Sequence, residues 1–192
     1  MRLPAPCLSL VLAAAALPAC ASAFQDGKAP PAGGEDFARR GPYAGISLIQ
    51  GFEEFDGIPA GDSDVGIGIR GGVRLQPEVA VEGFLESVPG FNVGRGPFRE
   101  ELDLLSLGAQ GKYFFTTDKI QPYALAGLGI ARAEVDRSGL DDSGTFLRIG
   151  FGSDFHLDRD FSLFAELAYN RMFGGVEDLD HADFQVGVEF HF

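Results

Sequence analysis

From Pro42 to the last residue, apolar positions alternate with small or polar ones at a period of two. Eight segments carry the pattern: Tyr43–Phe52, Val65–Leu75, Val79–Val88, Leu102–Phe115, Ile120–Val135, Thr145–Leu157, Phe161–Phe173 and Asp183–Phe192. None shows a 3.6-residue period. Alternation of this kind marks β-strands, and eight of them with turn residues between predict an all-β sandwich or barrel.

The connectors choose between those two. Gln76-Pro77, Thr116–Lys119 and Asp158–Asp160 are short. Glu53–Asp64, Pro89–Glu101, Asp136–Gly144 and Gly174–Ala182 are longer and polar. Short turns at one end and longer loops at the other describe an eight-stranded antiparallel up-and-down meander, the layout of a transmembrane β-barrel. A Greek-key sandwich has no such regular alternation.

The two strand faces differ in an unusual way. In Val65–Leu75, Val65, Ile67, Ile69, Val73 and Leu75 oppose Gly66, Gly68, Arg70, Gly72 and Arg74. In the sixth segment, Leu147, Ile149, Phe151 and Phe155 oppose Arg148, Gly150, Gly152, Asp154 and His156. A water-soluble sheet turns its apolar face inward and decorates the other with polar side chains. Here the second face is glycine with isolated charges, which suits a narrow interior that side chains must share. The assignment is therefore inverted: apolar residues face lipid, and small and charged residues face the lumen.

The lumen charges nearly balance. The basic set is Arg70, Arg74, Lys112, Arg132 and Arg148; the acidic set is Glu82, Glu86, Glu134, Asp154, Glu166 and Glu189. Buried charges need partners, so the lumen is expected to be an ion-paired plug and not a wide channel. A three-residue turn at Leu75–Pro77 predicts Arg70 opposite Glu82 and Arg74 opposite Glu78.

The first 23 residues have a different character. Arg2 precedes an uncharged Leu- and Ala-rich stretch that closes on Ala21-Ser22-Ala23, the layout of a cleaved secretory signal peptide. Pro4, Pro6 and Pro18 interrupt the stretch and disfavour a membrane helix; a lipoprotein signal ending at Cys20 is disfavoured by Pro18. Residues 24–41, from Phe24 to Gly41, are rich in Pro, Gly and charge and read as a flexible periplasmic linker. Pro42–Phe192 is the barrel. Cys7 and Cys20, the two cysteines of the chain, fall in the signal, so an exported disulfide scaffold is excluded. The formal net charge of −13 excludes a nucleic-acid partner, which needs a basic footprint.

The chain resembles the small eight-stranded outer-membrane β-barrel proteins of Gram-negative bacteria, the OmpA/OmpX-like group of the porin family. Gln121-Pro122-Tyr123 with Gly127-Leu128-Gly129, Ala165-Glu166-Leu167-Ala168-Tyr169 and the closing Phe184–Phe192 carry the likeness. The most specific element is the last strand: Phe184, Val186, Val188, Phe190 and the terminal Phe192 resemble the family's signal for the barrel-assembly machinery. The resemblance implies a place in the bacterial outer membrane, with outer-membrane lipid and lipopolysaccharide as neighbours. It implies no single activity.

Motifs for chemistry are sparse. Gly66-Ile67-Gly68-Ile69-Arg70-Gly71 matches a dinucleotide fingerprint in letters, but it lies within a strand and no helix follows. His156 and His191 are placed toward the periplasmic end with Asp154 and Glu189 two residues away, and no serine stands out beside them as a nucleophile. The acid-rich loops Glu53–Asp64 and Gly174–Asp183 carry Glu53, Glu54, Asp56, Asp62 and Asp64, then Glu177, Asp178, Asp180 and Asp183 with His181. Clustered carboxylates can hold Ca²⁺ or Mg²⁺, but neither loop has an ordered calcium-loop spacing, and solvated, mutually repelling loops are the expectation. Pro89–Glu101, with Arg95, Arg99, Phe91 and Phe98, suits contact with phosphates or a partner surface. No catalytic, cofactor or metal site is assigned. The sequence thus predicts a non-catalytic outer-membrane barrel with a structural, envelope-integrity or surface-interaction role. The alternatives are a narrow low-conductance porin, an outer-membrane enzyme acting on lipid or peptide, and a soluble periplasmic barrel.

Overall fold

The structure, a computed structural model, describes residues 37–53, 65–93, 100–135, 141–177 and 179–192. The expected signal peptide, the expected linker as far as residue 36, and residues 54–64 of the first acidic loop lie outside the described residues. Eight strands follow one another: β1 Gly41–Glu53, β2 Val65–Gln76, β3 Val79–Val93, β4 Glu100–Phe114, β5 Ile120–Val135, β6 Asp141–His156, β7 Phe161–Gly174 and β8 His181–His191. Each pairs antiparallel with the next, and β8 returns to pair with β1 from Tyr43↔His191 to Glu53↔His181, closing the barrel. Closure leaves no strand edge in the hydrocarbon, where an unpaired backbone group has no partner.

The faces fall as the alternation requires. Ile67, Ile149 and Phe151 are 62–65% exposed on the outside, while Arg148, Glu166 and Glu189 are 1% exposed inside. The inverted pattern is satisfied only if lipid covers the outer wall. The short connections lie at one end together with the start of β1 and the end of β8, which fixes that end as periplasmic. There Phe192 donates its N–H to the Pro42 carbonyl at 3.0 Å, and its ring meets Phe190 edge-on at 5.1 Å.

The lumenal glycines have a definite mechanical cause. Each of several inward aromatic rings lies against a glycine directly across the ladder, as Tyr43 does on Gly72 and Tyr123 on Gly152. A Cβ at Gly152 would stand 2.5 Å from the Tyr123 hydroxyl oxygen, closer than non-bonded atoms tolerate. The outward Gly71 has no such neighbour; a Cβ there would meet nothing nearer than a carbonyl at 3.8 Å.

The β2–β3 hairpin corrects the expected register. Arg70 lies opposite Phe84, Gly72 opposite Glu82 and Arg74 opposite Ala80, with an irregularity between Arg74 and Gln76. The turn is Pro77-Glu78, two residues long, and the bulge absorbs the extra residue. The face assignment survives because the slip is even; Arg70 reaches Glu82 diagonally.

Candidate functional site

The lumen is filled in layers. Toward the outer end lies an apolar layer: Ile49, Phe84, Val88, Leu104, Phe146 and Met172, closed by Val176 of the β7–β8 connection and backed by Leu179. Toward the periplasmic end lies a second, of Tyr43, Ala80, Phe114, Tyr123 and Leu125. Between them runs a belt of charged and amide side chains.

The belt is cross-braced. Glu166 accepts from Arg70 Nη1 at 3.1 Å, Arg148 Nη2 at 3.0 Å and the Tyr123 hydroxyl at 2.9 Å. Glu82 pairs with Lys112 Nζ at 2.9 Å and accepts from the Tyr43 hydroxyl at 2.8 Å and Gln110 Nε2 at 2.6 Å. Arg70 Nη1 is 3.3 Å from Glu82 Oε1. Arg148 also reaches Glu86 and Asp183, each at 3.1 Å. Lys112 on β4 reaches Glu189 on β8 at 3.4 Å, straight across an eight-stranded circle. Gln185 takes Arg70 Nη2 at 2.6 Å and donates to Glu86 at 2.7 Å. The cations also sit on rings: the Arg70 guanidinium is 4.0 Å from the Phe164 centroid, and Arg74 is 4.0 Å from Phe114. With every carboxylate of this group held by charge-assisted donors, the low-dielectric lumen strengthens the contacts it also makes costly to break.

The eleven lumen residues read from the sequence are thus placed as follows. Arg70, Glu82, Glu86, Lys112, Arg148, Glu166 and Glu189 meet in the belt. Arg74 lies nearer the periplasmic end, donating to Gln121 Oε1 at 2.7 Å and to the Pro77 carbonyl. Asp154 is buried near the same end, 1% exposed. Arg132 is a correction: it shares the outward face of β5 with Leu128 and Ile130 and is exposed. It stands close to the outer end of its strand, where the cost of a charge on the lipid side falls toward zero. The side chain of Glu134 lies outside the described residues. Reading by charge found the right groups on β2, β3, β4, β6, β7 and β8, but it gave no notice of Tyr43, Gln110, Tyr123, Asp183 and Gln185. Their common signal was position: all fall on the face that carries the charges.

The second acidic loop is also corrected. Asp180 accepts from the Met172 amide at 2.7 Å, from the Tyr169 hydroxyl at 3.2 Å and from Arg171. Asp183 belongs to the belt, and His181 is buried, within 3.2 Å of Asn170 Nδ2. The connection turns at Gly174, whose φ of 85° suits glycine. Of its described carboxylates, Asp180 and Asp183 are tied by donors and do not stand as solvated, mutually repelling charges. Asp178, residues 94–99 and the side chains of Phe91, Arg95, Phe98 and Arg99 lie outside the described residues.

At the periplasmic mouth, the His156 and His191 rings are 5.2 Å apart. Ser162 Oγ lies 2.9 Å from His191 Nε2, so a serine does stand beside the histidines; pairing across β7 and β8 brings it there, which the sequence pattern did not convey. Ser162 is fully buried. Residues 37–39 cover the mouth. Phe37 packs on His156 at 5.7 Å and its carbonyl accepts from Gln121 Nε2 at 3.2 Å; Arg39 bridges Asp160 at 3.2 Å and the His191 carbonyl at 3.1 Å.

Comparison with known proteins places this geometry. The model of a family described as outer membrane protein beta-barrel domain matches residues 8–192. Neisserial surface protein A is similar in structure with a TM-score of 0.64 at 20% identity, covering 79% of this chain and 97% of that one. Ail, the attachment invasion locus protein of Yersinia pestis, crystallised with the heparin analogue sucrose octasulfate, follows at 0.59 and 18%, covering 79% and 97%. The outer membrane protein OprG of Pseudomonas aeruginosa gives 0.57 and 15%, covering 83% and 98%. These likenesses are of fold. No curated protein sequence matches the chain.

Proposed function

Since this chain belongs to the outer membrane protein β-barrel domain family and its place is the bacterial outer membrane, we propose that it is a sealed, non-catalytic scaffold serving envelope integrity or surface contact. The observation that carries the reading is the belt, whose Lys112–Glu189 pair at 3.4 Å spans the lumen between two apolar layers. A hydrated ion entering such a lumen meets paired charges it cannot separate cheaply and dry layers above and below. That argues against the narrow porin. The outward apolar wall, which needs lipid, argues against the soluble barrel. Against the enzyme stands the burial of the Ser162–His191 pair beneath residues 37–39. Ail's sulfated ligand is not carried over, since a chain of formal net charge −13 repels a polysulfate.

Planar-bilayer recording of the purified, folded protein tests the seal. No stable unitary steps are expected; reproducible steps of one size would establish the pore instead. In the producing bacterium, deletion is expected to raise sensitivity to detergents and hydrophobic dyes. An unchanged sensitivity would remove the integrity role and leave surface contact.

A further inference from the structure

Residues 37–40 lead into β1 and cross the periplasmic mouth. β5 stands opposite β1 in the eight-stranded circle, yet the Phe37 carbonyl takes the side-chain amide of Gln121, near the start of β5. The Phe37 ring lies on His156, at the end of β6, and Arg39 is anchored to Asp160 and to the His191 carbonyl. Ala38 between them is 5% exposed. Gly41 makes the turn into β1: its φ of 150° lies where glycine is favoured, and a Cβ there would stand 3.3 Å from the Phe192 carbonyl oxygen. The segment is thus a strap, hinged at Gly41 and clasped on the far wall.

The clasp is made of rings. Phe37 on His156 at 5.7 Å, His156 on His191 at 5.2 Å and His191 on Tyr43 of β1 at 5.5 Å form one column. His191 Nε2 is taken by Ser162 of β7, but both ring nitrogens of His156 are buried with no hydrogen-bond partner. Charged groups face the column from several elements. Arg74 on β2 acts on both rings, and Arg39 on the strap and Lys112 on β4 act on His191. Among the acids, Glu189 on β8 is held by Lys112, and Asp160 in the β6–β7 turn by Arg39. Asp154 lies two residues deeper on β6, with its Oδ1 unpartnered. Among the described residues, no carboxylate bonds either histidine ring.

We propose that residues 37–40 are an acid-released strap: neutral His156 and His191 seat it over the periplasmic mouth, and protonation of the two rings lifts it. A proton on His156 puts charge on a buried ring with no acceptor, in the field of Arg74 and 5.2 Å from the second ring. Reaching Asp154 requires the ring to swing inward, away from Phe37. Lifting the strap returns both rings to water, where an imidazole takes its proton near an ordinary value of about 6.5. The lifted state therefore binds more protons than the seated one, so the strap loosens as pH falls below about 6.5 and reseats on neutralisation. Lifting opens a polar chamber of Asp154, His156 and Ser162 to the periplasm. The belt and the outer apolar layer take no part. The inference goes beyond the scaffold reading and does not depend on a sealed lumen.

The test reads burial of the strap in the full folded protein in phosphatidylcholine nanodiscs. Ala38→Cys is labelled with a membrane-impermeant maleimide, and its rate is divided at each pH by that of Lys119→Cys, which is exposed in the β4–β5 turn. The ratio cancels the pH dependence of thiol chemistry, and mass spectrometry reads the peptide that carries the introduced cysteine. The ratio is expected to rise about tenfold from pH 7.5 to pH 5, the factor that one titrating group contributes per pH unit, and to fall back when pH 7.5 is restored. Adding His156→Phe and His191→Phe, which keep rings in the column but take no proton, is expected to hold the ratio low at both pH values. Arg39→Gln, which loosens the clasp and leaves the histidines alone, is expected to raise the ratio at pH 7.5 and keep the acid response. A heat-shifted gel band at each pH confirms that the barrel stays folded. A flat ratio in the otherwise wild-type protein, or an undiminished acid response without the histidines, would overturn the proposal. Neither result bears on conductance, so this failure is distinct from a failure of the sealed-lumen reading.

Discussion

Glu166 shows what one residue carries in this lumen. Its two oxygens take donors from Arg70, Arg148 and Tyr123, and its side chain is buried. Removing the charge leaves two guanidiniums facing each other in low dielectric. Glu166→Gln is expected to lose about 3–5 kcal/mol, as broken buried pairs do, measured by urea titration of the folded gel band in vesicles. A loss below about 1 kcal/mol would mean that the belt is wet, because exposed pairs are worth that little. Glycine separates the two faces in the same way. Gly152→Ala drives a methyl into Tyr123 and is expected to cost about 1–3 kcal/mol as overpacking does. Gly71→Ala, on the open outer face, is expected to change stability by less than about 0.5 kcal/mol, as surface substitutions do. Equal effects at the two sites would refute the ring-on-glycine packing.

At the scale of the strand, phase was legible and register was not. Alternation alone put Ile149 outside and Arg148 inside on β6, and the run Phe184–Phe192 announced the closing strand. A face assignment needs only a period of two. Register needs the turn and its bulges, so the β2–β3 pairing was misplaced by two residues. The face of Arg132 was misread because Ala124, Ala126, Ala131 and Ala133 make both sides of β5 look alike, leaving charge sign as the guide. The wall itself predicts a depth dependence. Ile149→Arg, in the middle of the apolar band, is expected to cost about 2–4 kcal/mol. Arg132→Leu is expected to be near neutral in stability, because the arginine sits at the interface. If urea midpoints show the two substitutions to be equally costly, the placement of β5 and β6 in the membrane is wrong.

Across the whole molecule, fold and location were readable early, while the layering of the lumen was not. Charge balance implied a plug, and the belt is one. The apolar layers above and below it came from Phe84, Phe146, Met172 and their neighbours, which share a face with charges and so carry no distinctive periodicity. On the proposed reading, those layers turn an ion-paired lumen into a sealed one. Opposite walls, on that reading, are strutted together through a dry belt. Solid-state NMR on the protein in lipid bilayers reads it directly, through dipolar dephasing between ¹⁵N-labelled guanidinium nitrogens and ¹³C-labelled side-chain carboxylates, assigned by Arg148→Lys. Strong dephasing is expected from Arg148 to the carboxylates of Glu86, Glu166 and Asp183, in keeping with N–O separations of 3.0–3.1 Å. Weak dephasing together with rapid exchange of the guanidinium protons with water would contradict it and make the lumen an aqueous channel.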